Sequence, residues 1–308
     1  MLGCGNSDDM SSERPAGVVV VLCVFASLFL VVPAGALPSP DAGVTVTRDV
    51  VYRAIDGEQL RLDAYVPTAK TRKRPAILLV HGGSWREGDK SDFAEDGMKL
   101  AQLGYVAFSL NYRLAPAHPF PAAVDDVQSA VGWVRGPAQV KTYKLDPTRV
   151  GAIGASAGGQ LVGMLATLGQ GSLTKGSRIK AAVSWSGPMD FNLWSVAMLA
   201  ANPYAAAVLE FLDCTPDQLS CANATAASPI SHVDRTDAPM LLANSEQEFV
   251  GLDHATRMDA ALQAAGVPDQ LVVFPGNRHA QGYDDDVFAQ TVAFLQRYVG
   301  KPPIAKAR

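Results

Sequence analysis

Six small residues in a row, Gly154-Ala155-Ser156-Ala157-Gly158-Gly159, constrain this chain more than any other stretch of it. They follow Arg149-Val150-Gly151-Ala152-Ile153, short and apolar enough for a buried strand. They precede Gln160–Leu168, which is apolar nearly all round, as a buried helix should be. A strand that turns directly into a helix crowds its own backbone, and bulky side chains in the turn would clash. Glycines two before and two after Ser156, with alanines between, suit that crowding and leave one hydroxyl at the apex. Such a turn lifts the hydroxyl clear of the sheet edge, where the N-terminus of the following helix offers N–H groups to a developing anion. A small-residue turn with no chemistry would read the same in isolation, so the surrounding segments have to decide.

Strand-length and helix-length segments alternate on both sides of this turn. Val44–Tyr52 and Leu60–Val66 alternate polar and apolar residues about Asp56-Gly57, the pattern of an exposed antiparallel hairpin. Ala76–Val80, Tyr105–Leu110, Ile179–Trp185, Met240–Asn244 and Gln270–Phe274 are runs suited to strands. Ser91–Leu103 (with Ser91 as its cap), Pro121–Val134, Asp253–Ala265 and Val287–Val299 are the expected helices. That rhythm predicts an α/β fold, a mostly parallel sheet wrapped by helices on both faces. It breaks between Gly187 and Pro239, where short helices are expected at Leu193–Leu199 and Ala205–Leu212. This stretch, about residues 188–238, reads as a short cap-like insertion over the strand ends, where pockets are usually shaped.

The N-terminus belongs to a different regime. Pro15–Pro40 carries no charged residue, and Ala34-Gly35-Ala36 is a small-x-small site that a signal peptidase could cut. Residues 1–36 are therefore expected to be a signal peptide, with a membrane anchor as the competing reading because the apolar run nearly reaches the ~20 residues that span a bilayer. Residues 37–308 are expected to form one domain. Cleavage after Ala36 leaves 25 basic against 27 acidic residues, a net of −2, which gives no reason to expect nucleic acid or an anionic membrane surface as partner. Cys214 and Cys221 stay in the exported part and are expected to pair as a disulfide. No His/Cys/carboxylate spacing suggests a metal.

An activated serine needs a base, and the base an orienting carboxylate. Of the histidines after Ser156, His254 falls in the first turn of a helix and His232 within the insertion. His279 follows the last strand in Phe274-Pro-Gly-Asn-Arg-His-Ala280, at the same sheet edge as the serine, and is the expected base. The carboxylate should sit after the penultimate strand, in Asn244-Ser-Glu-Gln-Glu-Phe-Val250. Glu248 is favoured there, Glu246 is the rival, and Asp253 reads as a helix N-terminal charge. Backbone donors for an oxyanion are expected from Gly82 and Gly83, in His81-Gly-Gly after a buried strand, and from Ala157. Trp85, Trp185 and Trp194 are candidates for an acyl pocket or for core packing. Asp125 and Asp126, beside Tyr112 and Arg113, suggest a structural network. Asn223-Ala-Thr225 is a glycosylation sequon in a host that has the machinery.

His81-Gly-Gly-Ser-Trp85, Tyr112-Arg-Leu-Ala-Pro116, Phe120-Pro-Ala-Ala-Val-Asp-Asp126, Gly154-Ala-Ser-Ala-Gly-Gly159 and the late His279 together resemble the α/β-hydrolase esterase/lipase family, in its hormone-sensitive-lipase-like and feruloyl-esterase-like branches. The resemblance runs over almost all of residues 44–300. It implies a central eight-stranded sheet, a Ser/acid/His triad, an oxyanion hole in the His-Gly-Gly loop, a small-molecule ester as substrate, and no cofactor. The chain departs from the first branch at Ala155, where Asp usually precedes the nucleophile, and at Ala117, where Glu usually follows the Leu-Ala-Pro. His-Gly-Gly-x-Trp is also similar to the loop of kynurenine formamidases, which keeps amide hydrolysis open. A catalytically inert hydrolase-fold binding protein is the reading from a different class. The insertion is short and interrupted by polar residues, which favours a small soluble ester with a short acyl chain over a lipid surface.

Overall fold

The computed structural model describes residues 43–71, 73–193, 204–215 and 221–303. The first two strands, β1 (Val44–Ile55) and β2 (Glu58–Pro67), form the expected hairpin. Asp56 and Gly57 close it with φ of +51° and +84°, the left-handed pair that matches the twist of a two-residue turn. The remaining strands are β3 (Arg74–Val80), β4 (Val106–Leu110), β5 (Leu145–Ala155), β6 (Ala182–Trp185), β7 (Met240–Ser245) and β8 (Asp269–Phe274). They form one eight-stranded sheet in the order β1-β2-β4-β3-β5-β6-β7-β8. Only the β1–β2 and β2–β4 pairings are antiparallel.

That order places the functional edge. The chain leaves β3 for β4 on one side, then returns to lay β5 on the other side of β3. At such a reversal the connections diverge and open a crevice outside the carboxyl ends of the two central strands. His81-Gly82-Gly83 leaves the end of β3 there, and Ser156 leaves the end of β5.

Helices α1 (Ala94–Gln102), α2 (Ala122–Val134), α3 (Pro137–Tyr143), α4 (Ala157–Thr167), α5 (Ala205–Leu212), α6 (Ala222–Ala226), α7 (Leu252–Ala265) and α8 (Asp284–Tyr298) complete the regular elements among the described residues. Successive side chains of a strand point to opposite faces, and β3 divides its apolar run accordingly. Ala76, Leu78 and Val80 enter the core with α2, α4, α5 and α7, whereas Ile77 and Leu79 enter the second core with α1 and α8. Every residue of α4 is buried, as its all-round apolar sequence requires.

Several elements differ from the sequence expectation. Ser91 is not the cap of the first helix. Asp89 caps a 3₁₀ turn over Lys90–Phe93, its carboxylate accepting the Ser91 N–H (2.9 Å) while Asp92 accepts the Asp89 N–H (3.1 Å), and α1 proper begins at Ala94. The reciprocal Asp89/Asp92 pair satisfies two donors, where a lone Ser91 would satisfy one. Helices α3 and α6 were not foreseen, being too short to show a period. In the stretch between β6 and β7, α5 lies where expected, and Cys214 and Cys221 are disulfide-bonded with their Cα atoms 6.2 Å apart. Beyond Leu193, the helix expected at Leu193–Leu199 lies outside the described residues, and so does Trp194.

Candidate active site

Ser156 stands between β5 and α4 with φ +53° and ψ −118°, outside the regions a side-chain-bearing residue ordinarily occupies. The flanking glycines hold it there. A Cβ on Gly158 would lie 2.0 Å from the Val80 carbonyl oxygen, and one on Gly154 would lie 2.1 Å from the Gly158 carbonyl oxygen. Backbone stands on both sides with no flexible atom to yield, so neither position admits alanine. The first hydrogen bond of the helical turn runs from the Gln160 N–H to the Ser156 carbonyl at 3.1 Å. The Ala157 N–H therefore has no acceptor within its own helix, at the positive end of the helix dipole.

The His81-Gly82-Gly83 loop runs alongside. A Cβ on Gly82 would lie 3.2 Å from Ser156 Cβ, so the loop backbone passes the serine at contact distance. Gly83, Ser84 and Trp85 all take positive φ (+102°, +51° and +59°), a bend that turns the chain tightly away from β3. His81 holds this bend. Its buried ring stacks on Tyr112 (centroids 4.3 Å apart), its Nδ1 meets the Gly82 carbonyl at 2.7 Å, and Tyr112 donates its hydroxyl to the His81 carbonyl at 3.1 Å. Burial lowers the His81 pKa, which keeps the imidazole neutral with Nδ1 as donor. Behind it, the fully buried Asp126 accepts the Arg113 N–H and Nε (both 2.9 Å) and the Arg53 guanidinium. Asp126 thus ties the loop after β4 to α2 and β1, while Asp125 is exposed. This is the structural network the sequence suggested.

Glu248 and His279, the expected acid and base, come together at the ends of β7 and β8. His279 donates from Nδ1 to Glu248 Oε2. The Glu248 side chain is wholly buried, and its Oε1 accepts the Ser245 N–H at 2.7 Å and the Ser186 hydroxyl at 2.9 Å. Three donors meet one buried carboxylate, which offsets the cost of taking a charge out of water. Glu246 is exposed. The loop bearing His279 is pinned on both sides: Ser245 donates its hydroxyl to the Arg278 carbonyl (2.6 Å), and the Ala280 N–H donates to Ser186 Oγ (2.8 Å). Tyr283 lies within 2.6 Å of Ser186 Oγ and donates to the Ala243 carbonyl at 2.8 Å. Burial pushes its phenol far above the usual range, so it stays protonated. His279 Nε2 is buried and has no partner among the described residues. No hydrogen bond joins it to Ser156 in this structure. An imidazole held by Nδ1 on a carboxylate, with Nε2 unoccupied, can take a proton and return it.

The other histidines are engaged elsewhere. His232 Nε2 meets the Ala226 carbonyl (2.8 Å), and His118 Nε2 pairs with Glu58 (3.0 Å). His254 Nδ1 accepts the Met189 and Asp190 N–H groups at 3.3 and 3.2 Å, and burial lowers its pKa to about 4.

A cavity of about 20 Å³ opens beside Ser156, lined by Ser84, Trp85, Pro188, Tyr204, Val208, Phe249 and Val250. Trp85 is set in its wall by stacking on Phe211 (4.4 Å) and by donating from Nε1 to Gln160 (3.0 Å). Trp185 is core: it packs on Phe93 and donates to Thr291. Phe249 lies on the His279 ring at 4.1 Å and on Tyr204 at 4.1 Å, forming an aromatic wall over the base. Asn223 does not extend freely into solvent, since its amide donates to the Leu212 carbonyl at 2.8 Å.

Ser186, Ser245, Tyr283 and Phe249 had no place in the sequence reading. Ser186 could have been found by position alone, because it follows the strand Ile179–Trp185 at the same carboxyl edge as Ser156. A lone serine in Trp185-Ser-Gly-Pro188 carries no motif, however.

The BD-FAE family profile matches residues 62–262. Bovine (Bos taurus) arylacetamide deacetylase is 34% identical over 126 residues, covering 40% of this chain and 32% of that protein. Esterase LipQ of Mycobacterium tuberculosis is 28% identical over 225 residues, covering 69% of this chain and 51% of its own length. The chain thus spans about half or less of the curated relatives it matches. Among solved structures, a thermophilic esterase of the planctomycete Thermogutta terrifontis superposes with a TM-score of 0.68 at 23% identity, over 86% of this chain and 95% of that one. That likeness is one of α/β-hydrolase fold.

Proposed function

Since the chain belongs to the BD-FAE family, we propose that it is an exported serine hydrolase that cleaves small carboxylic esters through an acyl-enzyme on Ser156. His279 takes the Ser156 proton as the oxygen attacks the ester carbonyl. The Gly82, Gly83 and Ala157 N–H groups receive the oxyanion, and His279 returns the proton to the departing alcohol. Water then repeats the sequence and frees the acid. Glu248 holds the imidazole in the tautomer with Nε2 facing the chemistry and balances its charge when protonated. The observation that supports this most is the Glu248–His279 pair, built at the same sheet edge as the strained Ser156 and leaving Nε2 without a partner. Hydrogen bonds between base and nucleophile of this kind tighten when substrate binds.

The acyl group is proposed to be short. The space beside Ser156 is narrow and walled by Trp85, Val208 and Phe249, which favours short acyl groups. Export by residues 1–36 agrees with the Cys214–Cys221 bridge, since disulfides persist in oxidising compartments. No nucleic-acid or cofactor partner enters this reading, and no membrane partner beyond the export segment. Amide hydrolysis is the second reading, favoured by the 34% identity to arylacetamide deacetylase.

The test is hydrolysis of p-nitrophenyl esters of rising chain length by wild type and Ser156→Ala, with an aryl acetamide and N-formylkynurenine beside them. The expected result is a kcat/KM maximum at about C2–C6 and a loss of about 10⁴–10⁶ in kcat for Ser156→Ala with its fold intact. Near-native rates in the alanine variant contradict the nucleophile. Faster cleavage of the amides than of any ester moves the activity to the second reading.

A further inference from the structure

We propose that Ser186 is a positioning residue for the acid–base pair: its hydroxyl fixes Glu248 and the His279 loop in one geometry and thereby sets kcat. This rests on the roles given to Glu248 and His279 above.

Ser186 is fully buried at the end of β6, between the two loops it joins. Its single proton goes to Glu248 Oε1 at 2.9 Å, because the carboxylate can only accept. Its oxygen accepts the Ala280 N–H at 2.8 Å, one residue past the base. The Tyr283 hydroxyl, 2.6 Å away, is left to divide its proton between Ser186 Oγ and the Ala243 carbonyl. One hydroxyl therefore touches the acid directly and reaches the base through a single peptide unit.

The backbone adds an independent argument. Ser186 sits at φ +54°, in the left-handed region where glycine is at ease and a side chain costs free energy. Gly187 stands next to it, so a glycine is available to the local sequence, yet the strained position carries a hydroxyl. An observed strain of this kind points to a use for the side chain. Without the hydroxyl, Glu248 Oε1 keeps only the Ser245 N–H, and the Ala280 N–H loses its acceptor. The carboxylate can then turn about its last bond, and the His279 ring follows it. Trp85 and Phe249 still wall the cavity, so substrate binding has no reason to change.

The experiment is a double-mutant cycle with kcat, KM and Tm read on p-nitrophenyl butyrate for wild type, Ser186→Gly, Glu248→Ala and the pair. Ser186→Gly relieves the left-handed strain while deleting the hydroxyl, so loss of activity is separated from loss of fold. The expected result is a fall of about 10- to 100-fold in kcat, the worth of one charge-assisted hydrogen bond, with KM within about twofold and Tm held. In the Glu248→Ala background the same change should alter kcat by less than about threefold, because its target is gone. The proposal is overturned if Ser186→Gly leaves kcat unchanged, if it costs the same factor in both backgrounds, or if the loss tracks a falling Tm and a rising KM. Should Ser186→Gly fail to fold, Ser186→Cys carries the same cycle, nearly isosteric with only a weak donor. It should give an intermediate kcat, and a native kcat overturns the proposal. Glu248→Ala with near-native kcat defeats the triad itself and this inference with it. A crippled Glu248→Ala beside a neutral Ser186→Gly removes only the role of Ser186.

Discussion

The two halves of the candidate site are held in place by different forces. The nucleophile half, Ser156 with the His81-Gly82-Gly83 loop, is fixed by exclusion: backbone lies 2.0 Å from where a Gly158 Cβ would stand and 2.1 Å from a Gly154 Cβ. The acid–base half, Glu248 and His279, is fixed by attachment. Ser245 and Ser186 pin the backbone on either side of His279, and the carboxylate between them takes three donors. Steric fixation tolerates no substitution and fails as a fold. Polar fixation loosens by degrees and fails as a rate. The serine is thus placed by packing shared with the core, and the histidine by hydrogen bonds.

The largest expected effect breaks the first half. Gly158→Ala drives a Cβ into the Val80 carbonyl, between β3 and α4 at the centre of the sheet. It should cost more than about 4 kcal/mol, beyond the usual range for a single change, and abolish folded, active protein together. A soluble variant with native Tm would show that the turn has slack and that the contrast is wrong.

Next in size is Glu248→Gln, which keeps the shape of the second half and removes its charge. The expected loss is about 10³–10⁴ in kcat with the far-UV spectrum unchanged, following the effect of neutralising an orienting carboxylate. Exposed Glu246→Gln should stay within about twofold. The reverse ranking in steady-state kinetics would move the acid to Glu246.

A third carboxylate sharpens the comparison from outside the site. Asp96 on α1 is buried as Glu248 is, but its Oδ1 has no hydrogen-bond partner among the described residues. Burial, and then the nearby Asp284, push its pKa up to about 7. Because the folded-state value lies above the unfolded one, the native state holds an extra proton between about pH 4 and 7, and stability falls as pH rises through that window. Asp96→Asn should therefore raise stability at pH 8 by about 1–3 kcal/mol and do little at pH 4. Thermal melts across pH check this, and a gain that is the same at every pH contradicts it.

The same division explains what the sequence disclosed. Gly154, Gly158 and Gly83 stand where close approach or positive φ makes glycine necessary, and Gly82 where a Cβ would be tight, so the nucleophile half is written in residues that have few other reasons to be there. The apolar runs of β3, β4 and β7 mark the sheet for similar reasons, since buried strands admit little else. His279 and Glu248 could be proposed from sequence because both follow strands at one edge, with Glu246 left as a rival; in the structure Glu248 is buried on His279 and Glu246 is exposed. Ser186, Ser245 and Tyr283 were not legible. Their hydroxyls act by meeting partners far away in the chain, 62 residues for Ser186 to Glu248, and serine and tyrosine are common in loops that do nothing of the kind. The Asp89 cap was missed for a local reason, the reciprocal Asp89/Asp92 pairing that displaces Ser91.

The central claim is that Ser156 becomes acylated and that His279 and Glu248 make it reactive. It is tested most directly by incubating the protein with a fluorophosphonate and locating the adduct by peptide mass spectrometry. One equivalent on Ser156, formed slowly in Glu248→Gln and not at all in Ser156→Ala, is the predicted result. Stoichiometric labelling of any other residue, or labelling of Ser156→Ala at the wild-type rate, contradicts it.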